Sequence, residues 1–166
     1  MDSLLLQSRR PLAPMSPRSA AALLDCARAL QQAAEAGRTV PLLRGKNLGL
    51  MCASPDTPDA ALFERAAAEL GAQVAHIRPG LSASSTAQEV QHTARMLGRL
   101  YDAVECQGIA SALVIRIGRQ AGIPVYDALA SQQYPTLQIA PSLDGDAARA
   151  DNRRFVLQAV LLGAFA

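Results

Sequence analysis

The stretch that decides the fold is NLGLMCASPDTPDAALFERAAAELGAQVAHI, residues 47–77. Its first seven residues, Asn47 to Ala53, are a short apolar run without helical period and read as a buried strand. Thr57-Pro58 then opens a helix, since Thr supplies a capping oxygen and Pro suits the first helical position. Leu62, Phe63, Ala66, Ala67 and Leu70 follow at helical spacing and form one apolar face, which Gly71 ends. Gln73 to Ile77 is a second strand. A strand, a helix of more than ten residues and another strand form a right-handed crossover, so the two strands are parallel.

The same alternation continues on both sides. Upstream, Ser16-Pro17 predicts a helix start, with Leu23, Leu24, Ala27, Leu30 and Ala34 on one face and Gly37 as the stop. Downstream, Ser82 to Thr86 is a polar loop, and Thr86 with Glu89 forms a capping box for a helix running to about Leu100. Ala103 to Cys106 is a third strand, Ile109 to Ala121 a helix closed by Gly122, and Ile123 to Tyr126 a fourth strand. Tyr134-Pro135 begins a brief helical turn that Pro141 ends, Asp144-Gly145-Asp146 lies in a linker, and the last helix has Phe155, Val156, Ala159, Val160 and Leu162 as its apolar face. The predicted fold is α/β, a four-stranded parallel sheet between helices. It makes one unit, with residues 16–141 as the core, 142–147 as a linker and 148–166 as a packed terminal helix. Ligands of such sheets sit beyond the carboxyl ends of the strands.

Composition limits the function. The chain has 166 residues, 50% hydrophobic and 18% charged, which suits one domain with a true core and excludes the low-hydrophobicity pattern of disorder. Aromatics are 4%, Trp is absent, and the basic residues are scattered, so stacking platforms and phosphate-binding stripes for nucleic acid are not expected. Apolar runs are too short for a membrane span or a signal peptide, and a cytoplasmic location is expected. The three cysteines, Cys26, Cys52 and Cys106, are widely spaced in apolar surroundings and read as buried thiols rather than a metal or disulfide framework.

Several short motifs occur together in one order and spacing. They are Leu42-Leu-Arg-Gly-Lys46, Phe63-Glu64 with Ala66-Ala67 and Leu70-Gly71, His92-Thr-Ala-Arg95 with Leu97, Tyr101-Asp102-Ala103, and Ile123-Pro124-Val125. This set resembles the carbamoyl-phosphate domain of the ornithine and aspartate carbamoyltransferases, and Asp151-Asn152-Arg153 resembles the start of the helix that closes the family's chains. In the family that helix follows a second domain that binds the amino-acid substrate. Here the resemblance implies that this domain is absent and that its two connecting helices are joined directly.

The resemblance also implies where ligand-binding residues belong. The family holds carbamoyl phosphate with a Ser-Thr-Arg-Thr-Arg run at a helix N-terminus, where free N–H groups and the helix dipole meet the phosphate. Asp56, Thr57, Pro58, Asp59 and Ala60 stand at those positions, so only the threonine is kept. The arginine at the end of the third strand aligns with Gln107. The His-Pro-Cys/Thr-Gln motif aligns with Tyr134, Pro135, Thr136 and Leu137, and Gln138 falls one position, about 100° of helical turn, too late. The loop lent by a neighbouring subunit corresponds to Gly80 through Gln88 and has no lysine. Asp56, Thr57, Pro58, Asp59, Ala60, Gln107, Tyr134, Pro135 and Leu137 form a vestigial pocket; no catalytic residue, metal or cofactor is expected.

Other residues have plainer readings. His76 ends the second strand and reads as a solvated or hydrogen-bonded loop histidine, with no carboxylate placed beside it by spacing, and His92 as a surface residue of a helix. Asp56, Asp59 and Asp127 at strand ends lack the spacing of a cation site. The expectation is a degenerate, inactive carbamoyltransferase relative acting as an oligomeric structural or interaction protein. The resemblance implies a homotrimer, or a mixed trimer with a full-length carbamoyltransferase paralogue. The alternatives are a small-ligand-binding protein that uses the remodelled pocket and a working carbamoyltransferase.

Overall fold

A strand buried on both faces can afford an unbroken apolar run, which is why residues from Asn47 onward form the centre of a sheet. In the computed structural model, which describes residues 17–131, 133–143 and 149–165, this run is β1 (Asn47–Cys52). It lies between β2 (Gln73–Ile77) and β3 (Ala103–Gln107), with β4 (Val125–Asp127) beyond β3, giving the order β2-β1-β3-β4. Every pairing is parallel, and Leu50 lies opposite His76 on one side and Glu105 on the other.

Side chains alternate across the strands and so build two cores. Leu48, Leu50, Cys52, Ala103 and Tyr126 face α1 (Pro17–Glu35), α2 (Pro58–Glu69) and α5 (Arg149–Gly163). Met51, Val104, Cys106 and Val125 face α3 (Ala87–Leu100) and α4 (Ser111–Ala121). Between β4 and α5 lies a 3-10 helix, η1 (Pro135–Ser142). The architecture is the expected α/β sheet, with element ends displaced by a residue or two. The third strand runs on to Gln107, the fourth begins at Val125, and α4 starts at Ser111 after an Ala110 cap that makes no side-chain bond. The proposed Ser16 cap and the Asp144 to Ala147 part of the linker lie outside the described residues.

Local signals act as the sequence suggests. Thr86 Oγ1 accepts from the Glu89 N–H at 3.2 Å, and Glu89 Oε2 accepts from the Thr86 N–H at 2.7 Å, completing the capping box. Gly122 ends α4 in the left-handed region at φ 73°, where a side chain would be strained.

The terminal helix departs from its predicted shape. The face of Phe155, Val156, Ala159, Val160 and Leu162 suggests a one-sided helix, yet Asn152, Arg154, Leu157, Gln158 and Leu161 are buried as well, while Val160 and Leu162 are half-buried. The reason is that polar side chains on α5 find partners on α2. Gln158 Nε2 donates to the Ala66 carbonyl at 3.2 Å and to Glu69 Oε2 at 3.0 Å, and Arg154 Nε lies 2.8 Å from Glu69 Oε2. Arg154 also pairs with Asp151. With Gln158 hydrogen-bonded and Arg154 ion-paired in this way, α5 sinks between α1, α2 and η1, while Asn152 Oδ1 stays buried without a partner.

Candidate functional site

The carboxyl ends of β1, β3 and β4 meet the start of α2 and the segment leading into η1. Asp56, Thr57 and Pro58 are exposed here, Asp59 is half-buried and Ala60 is fully buried. Thr57 has extended backbone, and its Oγ1 accepts from the Ala60 N–H at 3.1 Å. Pro58 takes the first helical position without a donor to lose, and Asp59 lies in the first turn, where its charge favours the dipole. The helix start is thereby satisfied from within. Thr57→Ala is expected to lower stability by about 1 kcal/mol, the usual worth of such a cap, and a thermal melt checks it.

The end of β3 is organised around a residue that no motif marks. Glu105, in the middle of β3, is fully buried. Its Oε1 accepts from the Leu129 N–H at 2.9 Å, and its Oε2 accepts from the Ala130 N–H at 3.0 Å and from Gln107 Nε2 at 3.3 Å. Two successive N–H groups reach one carboxyl because Ala128 turns the chain with φ 54°, itself donating to the Cys106 carbonyl at 2.8 Å. Burial pushes the Glu105 carboxyl up to about 8, with Asp127 adding to the rise and the two N–H groups and Gln107 opposing it. A lone acidic residue at an inward position of an otherwise apolar strand was the available signal.

Gln107 is buried beside it, and its Oε1 has no protein partner. Tyr134 is buried near the same group, its phenol pushed up by burial and by the Glu105 and Asp127 carboxyls. Tyr126 behaves likewise, with its hydroxyl unpartnered. Pro135 and Leu137 fall in η1, and their side chains lie outside the described residues. Gln138 is exposed. The structure thus brings Gln107 and Tyr134 together around Glu105, while Asp56, Thr57 and Pro58 remain on the outer rim.

Of the two readings of His76 the hydrogen-bonded one holds, because the crossover brings Glu64 of α2 into contact with its Nε2. Both side chains are about two-fifths exposed, at 41% and 40%. His92 is exposed on α3, lining a shallow polar groove with Gln88, Gln91 and Arg95. Cys52 and Cys106 are buried, and burial foremost, then the nearby carboxylates, raises both thiols, which disfavours a thiolate nucleophile. Among the described residues no three His, Cys, Asp or Glu side chains converge as for a metal ion, and no helix is long and apolar enough to cross a membrane.

Known proteins are similar to this chain in sequence and in fold. The family model for the aspartate/ornithine carbamoyltransferase carbamoyl-P binding domain matches residues 11–142. A catabolic ornithine carbamoyltransferase of Mycoplasma capricolum subsp. capripneumoniae is 36% identical over 132 residues, which are 80% of this chain and 42% of that protein. The ornithine carbamoyltransferase of Haemophilus influenzae strain PittGG is 37% identical over 121 residues, 73% of this chain and 36% of the relative. The chain therefore spans about two-fifths of the length of these relatives. Among solved structures, ornithine carbamoyltransferase from Gloeobacter violaceus superposes with a TM-score of 0.56 at 31% identity, covering 75% of this chain and 39% of the other. The enzyme from Pyrococcus furiosus gives 0.58 at 26% identity, covering 65% and 34%.

Proposed function

The chain belongs to the aspartate/ornithine carbamoyltransferase family through its carbamoyl-P binding domain, and from that premise we propose that it does not transfer carbamoyl groups and serves as an oligomeric structural or interaction protein. The start of α2 carries this reading. Where the resemblance calls for two arginines and free N–H groups facing a phosphate, Thr57 Oγ1 is engaged by Ala60, Pro58 offers no N–H, and Asp56 and Asp59 bring negative charge. A pair of unit charges at 4 Å is worth about 4 kcal/mol at an effective dielectric near 20, so exchanging attractions for repulsions removes affinity for a dianion. Gln107 points the same way, since its amide is bonded to Glu105.

Residues 143–148 are all that separate η1 from α5, so the amino-acid domain that the resemblance places between these helices has no room there. On this reading residues 16–141 form the α/β core and α5 returns directly onto it.

An oligomer is supported by the open side of the sheet. β2 is an edge strand with Gln73, Ala75 and His76 exposed, and Met96 and Leu100 on α3 are 44% and 55% exposed. A homotrimer, or a mixed trimer with a full-length carbamoyltransferase, in the cytoplasm is the proposed form. Sedimentation is expected to give a species larger than a monomer; a monomer at micromolar concentration counts against the proposal.

Calorimetric titration with carbamoyl phosphate tests the loss of activity. No binding is expected at millimolar ligand, and a micromolar dissociation constant, or citrulline or carbamoyl-aspartate formed above background, overturns the reading. The acidic rim of Asp56 and Asp59 favours one alternative, a site for a cationic or neutral small molecule. Thermal shifts with amines and amino acids distinguish it, since a ligand at 100 times its dissociation constant stabilises by about 2.7 kcal/mol.

A further inference from the structure

A groove runs beside the last turns of α1. It is lined by Cys26, Leu30 and Ala33 of α1, by Leu70 just after α2 and by Phe155 and Leu162 of α5, and it encloses about 250 Å³. Val40 and Leu42, in the loop that follows α1, also line it and are 58% and 56% exposed, the most of any large apolar side chains among the described residues. A void of about 150 Å³ already holds a benzene ring, so this one admits a leucine side chain with space to spare. Two of its polar members, Glu69 and Gln158, are bonded to each other, which leaves an incoming group mainly apolar contact to gain. We propose that the groove is the seat of the chain's own N-terminal segment, with Leu4 and Leu6 as its anchors.

The segment has the right composition, place and reach. Residues 1–16 precede α1, and Leu4-Leu5-Leu6 is their longest apolar run. This run stands before residue 11, where the match to the family model begins. In extended backbone Leu4 and Leu6 share one side, as two anchors for one groove require. The helix that forms one wall begins where the segment ends. From Pro17 to Leu30 that helix rises about 20 Å, at ~1.5 Å per residue. Gln7 to Ser16, the stretch between the leucines and α1, spans up to about 33 Å when extended. A segment turned back along α1 therefore brings Leu6 to the groove with slack.

Charge agrees with this direction. Arg9 and Arg10 lie between the leucines and α1, so a segment seated in this way carries them past the first half of that helix. There stands Asp25, the one acid of α1 ahead of Glu35 at its end. Asp25 is one turn before Ala29, which lines the groove, and the two share a helix face. Its side chain is 80% exposed, and its pairing with Arg28 is long, at 3.6 Å. An arginine of the segment thus meets a carboxylate that is open to it.

Cys26 reports on the groove, because it is half-buried in its wall, whereas Cys52 and Cys106 are buried in the two cores. The full chain is treated with N-ethylmaleimide at one pH, and modification is followed at each cysteine by peptide mass spectrometry. Leu4→Ser/Leu6→Ser is expected to be modified at Cys26 about tenfold faster than the unaltered chain, since two buried leucines are lost against the modest cost of closing a short loop. Unchanged modification of Cys52 and Cys106 shows that the fold is intact. Protection in the unaltered chain is expected to persist through a dilution of about a hundredfold, as for any contact within one chain. A peptide of residues 1–10, added at the millimolar level that a short linker supplies, is expected to restore protection to the double variant. Equal Cys26 rates in the two chains, or a peptide without effect, overturn the proposal. Protection that vanishes on dilution assigns the groove to a second copy of the chain and overturns it as well.

Discussion

Phe63→Ala is expected to lower the unfolding free energy by about 3–5 kcal/mol, the range for deleting a buried aromatic side chain. Phe63 is 1% exposed on α2 and belongs to the core shared by β1, α1 and α5. Its neighbours in that core are largely alanine and leucine, including Ala60, Ala66, Ala67, Leu48 and Leu50. Phe63 is among the largest fully buried side chains, so the space it vacates is large and the upper half of the range is expected. Urea denaturation checks this through the midpoint, with an unchanged slope showing that the unfolded state is not altered. A loss below about 1.5 kcal/mol would place the weight of the core elsewhere.

Gly98→Ala is the second large effect, and its sign opposes local propensity. In an exposed helix interior alanine is favoured over glycine by about 1 kcal/mol. At position 98, however, a Cβ would lie 2.1 Å from the Ala121 carbonyl oxygen, which is backbone at the end of α4. No rotamer relieves that contact, so α3 and α4 must separate along the surface where Val90, Ala94 and Leu97 meet Leu113, Val114 and Ile117. A net loss of about 2–3 kcal/mol is expected, in the range of overpacked cores. Any gain in melting temperature would show that the helices are not held at this distance.

Both predictions concern positions whose role differs in kind from that of the strand-end residues. The apolar character of Phe63 is visible in the helical spacing around it, and its burial follows. Nothing adjacent to Gly98 marks it as a contact, because the atom that excludes a side chain there belongs to the end of the next helix. The same division runs through the candidate site. Thr57-Pro58 and the Thr86 and Glu89 pair bond within three residues of themselves, so their roles were legible. Spacing names no partner for His76, yet Glu64, 12 residues away, sits against it once the β1-α2-β2 crossover closes. Glu105 was passed over because its partners are 24 and 25 residues downstream, and only the turn at Ala128 aims both at one carboxyl.

Sequence alone determined the order of elements, the parallel sheet and the Thr57 and Thr86 caps. These rest on periodicity, capping and residue identity, which act over a few positions. Tertiary structure alone decided that α5 is buried on nearly every side through Arg154 and Gln158, that Gly98 is a contact, and that Glu105 is a fully buried seat for the segment leading to η1. Each of these depends on groups distant in the chain being brought together and shut off from water. The energy of a buried charge or a steric contact is set by that enclosure, which no local pattern records.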